Sequence, residues 1–138
     1  MTTILPNRTR PPLLRLSTHL KSNRFGDARF FILVDENTYN NCMADALCAI
    51  PVLQESEFIE VPCGEECKSI EIATQIWQTL MESGADRNSV IICLGGGCIC
   101  DLGGFVASTY MRGIRHINIP TTLTAMVDAA IGGKTAVN

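Results

Sequence analysis

The sequence predicts an α/β protein with a mostly parallel sheet and helices on both of its faces. Three observations carry that expectation. Short, bulky apolar runs alternate with segments of helical period along the chain. A polar or glycine-rich segment follows directly on each run: Asp35-Glu36-Asn37, Gly64-Glu65-Glu66, Gly95-Gly96-Gly97 and Thr121-Thr122. In a parallel sheet those segments share one edge, where such proteins bind ligands. Finally, the glycines at 95–97 join an apolar run to a second apolar segment, the pattern of a strand, a tight phosphate-binding turn and a helix.

The elements follow in order. Phe30-Phe31-Ile32-Leu33-Val34 suits a strand buried on both faces, ended by Asp35-Glu36-Asn37-Thr38. Tyr39 to Ala49 reads as a helix stopped before Pro51. Glu57-Phe58-Ile59-Glu60-Val61 alternates weakly and ends at Pro62, which predicts a second strand. Ile72, Ala73, Ile76, Trp77, Leu80 and Met81 recur on one helical face, with Gly84 as the stop. Val90 to Leu94 is the third strand, and the glycine turn launches a helix through about Met111. Arg115-His116-Ile117-Asn118-Ile119 alternates into a fourth strand ended by Pro120. Thr121 or Thr122 is placed to cap a further helix to Ala130, before Gly132-Gly133.

A chain of 138 residues supports one domain with a real core. Residues 1–28 hold Arg8, Arg10, Arg15, Lys21 and Arg24 but also Pro6, Pro11 and Pro12, so an irregular arm or edge element is expected there. Residues 29–138 form the α/β domain. Hydrophobic residues at 46% and a net charge of only -3 exclude a disordered chain and give no reason to expect a nucleic-acid partner. No apolar run is long enough to span a membrane. The seven cysteines, odd in number and mostly in apolar surroundings, fit buried free thiols in a reducing cytoplasm. Cys63-x-x-x-Cys67 and Cys98-x-Cys100 lack the C-x-x-C pairing and nearby histidine of a usual zinc site, so no metal site is expected in this chain.

The glycine stretch admits three readings: a nucleotide site with one altered residue, a thiol or metal site on Cys98 and Cys100, or a buried turn. A dinucleotide G-x-G-x-x-G would use Gly95, Gly97 and position 100, which is Cys. The acid expected about twenty residues further on is absent, because Ile117 and Asn118 stand there. A dinucleotide must therefore be gripped differently, with Asp35 or Asn37 as candidates for the ribose. There is no Gly-Lys-Ser/Thr, so this is not a P-loop. Asp101, read in the first turn of its helix, either compensates the dipole or faces sugar hydroxyls. Arg112 either complements a helix C-terminus or binds phosphate, and Lys134 after Gly132-Gly133 is equally ambiguous. Asp128 lies in an otherwise apolar helical segment, where an acid is costly unless paired or exposed.

The segments VDENT at 34–38, PCGEECKS at 62–69, LGGGCICDLGGFVASTYMRG at 94–113 and INIPTTLTAMVDAAIGGKTAVN at 117–138 resemble the 3-dehydroquinate synthase family of sugar-phosphate cyclases. The triple-glycine block is shared with glycerol and iron-dependent alcohol dehydrogenases. The Tyr-x-Arg-Gly, Pro-Thr-Thr and Val-Asp-x-x-x-Gly-Gly-Lys combination is more specific. The resemblance implies a Rossmann-like domain that binds NAD. Asp35 and Asn37 would hold the adenosine end, with Glu65 and Lys68 beside them. Gly96, Gly97 and Cys98 would meet the pyrophosphate through backbone, with Asp101 toward the nicotinamide ribose. Thr121 and Thr122 would add hydroxyl contacts. Asp128 and Lys134 would reach the boundary between nicotinamide and substrate, and Arg112 would bind substrate phosphate across a dimer interface.

In that family NAD is recycled within one turnover. A ring hydroxyl of 3-deoxy-arabino-heptulosonate 7-phosphate is oxidised, phosphate is eliminated, the ketone is reduced back and the ring closes by an aldol step. A divalent metal, zinc or cobalt, polarises the oxidised hydroxyl in the full-length, homodimeric enzyme. The resemblance covers residues 29–138, and the family's helical second domain, which carries the metal ligands, is not in this sequence. The expectation is the nucleotide-binding half, inactive alone. The rival readings are another sugar-phosphate cyclase such as 2-deoxy-scyllo-inosose synthase, a non-catalytic binding module, and a thiol-redox protein. The last requires Cys98 or Cys100 to be exposed with a lowered pKa. The family usually has glycine at position 100 and an aliphatic residue at 98, and Cys100 is read as close packing.

Overall fold

The computed structural model describes Leu20 and residues 25–121. Four strands form one parallel sheet: β1 Phe30–Asp35, β2 Glu57–Val61, β3 Val90–Gly95 and β4 Arg115–Pro120. Their spatial order is β2-β1-β3-β4, so the two most apolar strands occupy the centre. Every residue of β3 is buried, whereas β2 buries only Val61 and borders solvent. This is the α/β architecture that the alternating pattern predicts.

Each face of the sheet has its own core. On one side lie α3 Ile70–Glu82 and α4 Gly97–Thr109. Ala73, Ile76 and Leu80 from α3 and Leu102, Val106 and Ala107 from α4 meet Phe31, Leu33, Ile91 and Cys93 there. The alternate residues Ile32, Val34, Ile92 and Leu94 face the opposite core, with Met43, Ala46, Ile50 and Leu53. Leu20 and Phe25 are also buried on that side, so the segment ahead of β1 contributes to the core at those two positions. Sequence pattern gave no sign of that, because no period links isolated residues.

Several boundaries differ from expectation. The helix expected over 39–49 is two helices, α1 Glu36–Asn41 and α2 Met43–Ala49, separated at Cys42. It starts early because Asp35 caps it. The Asp35 Oδ1 accepts from the Thr38 amide at 2.9 Å, and the Asp35 amide donates to Thr38 Oγ1 at 3.1 Å, a reciprocal capping box. Asp35 to Thr38 therefore ends a strand and begins a helix at once. The helix after the glycine turn stops at Thr109 rather than Met111. Tyr110, buried and donating from its hydroxyl to the Ala85 carbonyl at 2.9 Å, pins the chain there. Met111 and Arg112 then adopt left-handed backbone, φ 48° and 69°. The helix expected over 121–130 lies outside the described residues.

Candidate functional site

The chain leaves β1 for β2 on one side and reaches β3 on the other, so the strand order reverses between β1 and β3. Open α/β sheets take ligands in the crevice outside the carboxyl ends of such a pair of strands, where the connections diverge. Asp35 ends β1 and Gly95-Gly96-Gly97 follows β3. The 3-10 turn Gly64–Cys67 follows β2, and Thr121 follows β4, its amide donating to the Gly95 carbonyl at 2.9 Å. Three of the polar segments singled out in the sequence, and Thr121 of the fourth, thus converge on one edge.

The glycine turn is built for close approach. Gly96 is the N-cap of α4 and supplies no side-chain cap, so the first-turn amides of Gly97, Cys98 and Ile99 face outward for an anion. A Cβ at Gly97 would touch nothing within 4 Å, so the backbone there is open to a ligand rather than packed. Gly95 is different: a Cβ would lie 2.7 Å from the Ile99 side chain, so that glycine serves the turn itself. Helix and strand also approach closely at Gly103, where a Cβ would meet Cys93 Sγ at 2.1 Å. Cys100, read from the sequence as close packing, is fully enclosed beside it, its thiol donating weakly to the Gly95 carbonyl at 3.9 Å.

One ionic cluster borders the turn. Lys68 Nζ lies 3.2 Å from Asp101 Oδ2 and 3.8 Å from Glu65 Oε2, while Cys98 Sγ donates to Glu65 Oε1 at 3.5 Å. The hydrogen bond to Asp101 pushes the Lys68 pKa above its ordinary value, so the ammonium is secure. Asp101 does not stand in the first turn of its helix, because α4 begins at Gly97. Dipole compensation is therefore not its role; the Lys68 ion pair is what offsets its charge. Its second oxygen, Oδ1, is buried without a hydrogen-bond partner. A carboxylate oxygen without a partner and uncapped helix amides on one helix are the acceptor and donors that a sugar–phosphate ligand requires. The pairing of Lys68 with Asp101 had no local signal, since the two residues belong to different connections.

The remaining candidates fall in three groups. Asp35 and the exposed Asn37 stand at the head of α1, with Asp35 Oδ1 already engaged in the cap. Arg112 does not join the crevice: α4 runs back along the sheet for about 20 Å, and Arg112 is exposed at the far edge, just ahead of β4. Thr122, Asp128 and Lys134 lie outside the described residues. The thiol-redox reading fails on its own requirement. Cys100 is buried and its thiol is pushed up to about 12 by burial and then by Asp101. Burial and Glu65 likewise raise the Cys98 thiol.

Comparison with known proteins accords with this geometry. The family described as 3-dehydroquinate synthase N-terminal matches residues 58–138. The 3-dehydroquinate synthase of Parabacteroides distasonis is 47% identical over 110 residues, covering 80% of this chain and 31% of that protein. The structure of 2-epi-5-epi-valiolone synthase from Streptomyces hygroscopicus subsp. jinggangensis, with NAD+ and Zn2+ bound, superposes with a TM-score of 0.72 at 28% identity. It covers 100% of this chain and 37% of that one. A 2-deoxy-scyllo-inosose synthase structure shares the fold at a TM-score of 0.83 and 24% identity, covering 98% of this chain and 37% of its own. The chain spans about a third of the length of the curated relatives it matches. With its glycine turn, its Pro-Thr-Thr segment and its family match in the same order along the chain, this protein belongs to the 3-dehydroquinate synthase family.

Proposed function

We propose that these residues form the NAD-binding part of a 3-dehydroquinate synthase, which converts 3-deoxy-arabino-heptulosonate 7-phosphate to 3-dehydroquinate and phosphate. The observation that carries the reading is the group of features at the carboxyl ends of β1 and β3. There an uncapped helix N-terminus, an unobstructed Gly97 and the orphaned Asp101 oxygen stand together. Bound NAD supplies a hydride acceptor that later returns the hydride. The first-turn amides of α4 bind the pyrophosphate, and Asp101 Oδ1 accepts from a ribose hydroxyl. Lys68 holds Asp101 in place and offsets its charge near the phosphates. Glu65, Asn37 and the remaining Asp35 oxygen serve the adenosine end, and Thr121 and Thr122 add hydroxyls. Asp128 and Lys134 act at the boundary between nicotinamide and substrate.

Arg112 stands at the opposite edge of the sheet, which supports its service to the phosphate of a substrate held by a second subunit of a homodimer. Among the described residues no three metal-ligating side chains gather, so no metal-dependent step is derived from them. A reducing cytoplasm suits the seven free cysteines. The nearest rival, a sugar-phosphate cyclase of another specificity, shares the fold, but the 47% identity to a 3-dehydroquinate synthase favours the first reading. Calorimetric titration with NAD, followed by amide NMR shifts, tests the proposal. Saturable heat with shifts at residues 96–101 is expected; no heat and no shift at millimolar NAD overturns it.

A further inference from the structure

The chain between α4 and β4 is strained beyond what its local sequence favours. Helices commonly end on one residue in the left-handed region, most often a glycine. Here Met111 and Arg112 both stand there, φ 48° and 69°, and Gly113 follows at 113°. The glycine comes third, after two residues whose Cβ atoms make that backbone costly. Neither residue recovers the cost by burial. Met111 is 46% exposed, and Arg112 is exposed as well.

The conformation is imposed from outside the turn. Tyr110 is buried, and its hydroxyl donates to the Ala85 carbonyl at 2.9 Å. That acceptor is itself fixed. The Ala85 amide donates to the Leu80 carbonyl at 2.9 Å, and the Asp86 amide donates to Ser89 Oγ at 3.0 Å. Beyond the turn, Arg115 donates to the Asn88 carbonyl at 3.0 Å and to Asn88 Oδ1 at 2.9 Å. The Ile114 amide donates to the Ala107 carbonyl at 2.7 Å. Two anchors on one segment, residues 85–89, thus bracket the turn. Between Tyr110 and Ile114 only Met111, Arg112 and Gly113 remain to redirect the chain from α4 into β4. A phenylalanine ring would fill the core at position 110 as well as tyrosine does; the hydroxyl adds the anchor alone.

We propose that Tyr110 is a positioning residue for Arg112. Its hydroxyl bond to Ala85 holds the Met111–Arg112 backbone left-handed, and that backbone presents the guanidinium to the substrate phosphate of a second subunit. A continued helix would set Arg112 one turn beyond Ser108, in a row along the exposed side of α4. The left-handed turn takes it out of that row and fixes the chain on both sides of it. A guanidinium binds phosphate through a planar fork of N–H groups, so the direction from which it arrives governs how many of them engage. The role of Arg112 rests on the function proposed above; the strained turn and its anchor do not.

The test reads the turn and the binding separately. In the chain itself, strong intraresidue amide-to-Hα NOEs at positions 111 and 112 report left-handed backbone. Tyr110→Phe keeps the ring and loses the anchor, so those NOEs should fade while circular dichroism remains that of the folded chain. In a dimeric synthase that carries these residues, Tyr110→Phe should raise KM for the sugar phosphate about tenfold, with NAD affinity and kcat held. Arg112→Ala should raise KM at least as far, and the double variant no further, because Tyr110 acts through Arg112. Met111→Gly, which adopts left-handed backbone freely, should return part of the lost affinity to Tyr110→Phe. Undiminished NOEs in Tyr110→Phe, an unchanged KM beside a raised one in Arg112→Ala, or additive effects in the double variant overturn the proposal. An unchanged KM in Arg112→Ala itself overturns the phosphate reading, and the positioning role falls with it.

Discussion

At the scale of single residues, a tight constraint is the space between α4 and β3. A methyl at Gly103 would sit 2.1 Å from Cys93 Sγ, closer than any real contact. Gly103→Ala should therefore destabilise the fold by about 1–3 kcal/mol or more, read as a lower midpoint in urea. Cys93→Ala removes the obstructing sulfur, so the double variant should recover much of the loss, and a double-mutant cycle measures that coupling. Lys68→Met leaves Asp101 charged and without a partner on either oxygen, at a cost of about 1–3 kcal/mol. The pH dependence has a definite sign. The folded-state pKa of Lys68 is raised, so its contribution is fully present below the usual lysine value of 10.5 and is lost as pH rises through the higher folded value. The difference between wild type and Lys68→Met in urea should thus stay constant from neutral pH upward and shrink only in strong alkali.

Among the elements, the turn from β3 into α4 separates binding from folding at Gly97 and Gly95. Gly97→Ala adds a methyl in open space, so stability should hold while NAD affinity falls about tenfold or more, as calorimetry on the folded variant would show. Gly95→Ala forces a clash with Ile99 at 2.7 Å and should lower the melting temperature first. The sequence made the strands legible because each apolar run is bounded by Pro, Gly or acids: β2 matches its expected limits, and β3 and β4 gain only Gly95 and Pro120. It also showed the four loops that meet at one edge, since parallel strands oblige that. The break at Cys42 was not legible, because neither glycine nor proline marks it. Neither was the Lys68–Asp101 pair, which only the tertiary approach of the 64–67 turn to α4 creates. The early start of α1 had a readable cue in Asp35-x-x-Thr38, a cap masked by the acids' resemblance to a loop.

Over the whole molecule, the sheet has two working edges. One carries the crevice; the other presents Arg112 on the left-handed turn, roughly a helix length away. Arg112→Ala should leave both stability and NAD affinity of the chain unchanged. In a dimeric synthase it should weaken sugar-phosphate binding, and mixing it with subunits defective in NAD binding should restore fewer active sites than unlinked defects would. The strand order has a further consequence for biosynthesis. β1 is made first yet lies at the centre, paired with β2 on one side and β3 on the other. As the chain leaves the ribosome, β2 can cover one side of β1 early. The other side, with the backbone of Phe30 to Leu33, stays a bare template until Val90 to Cys93 emerge to pair with it. A nascent chain stalled within α3 should therefore recruit chaperones or aggregate, and release from that hazard should coincide with the pairing of β3 beside β1.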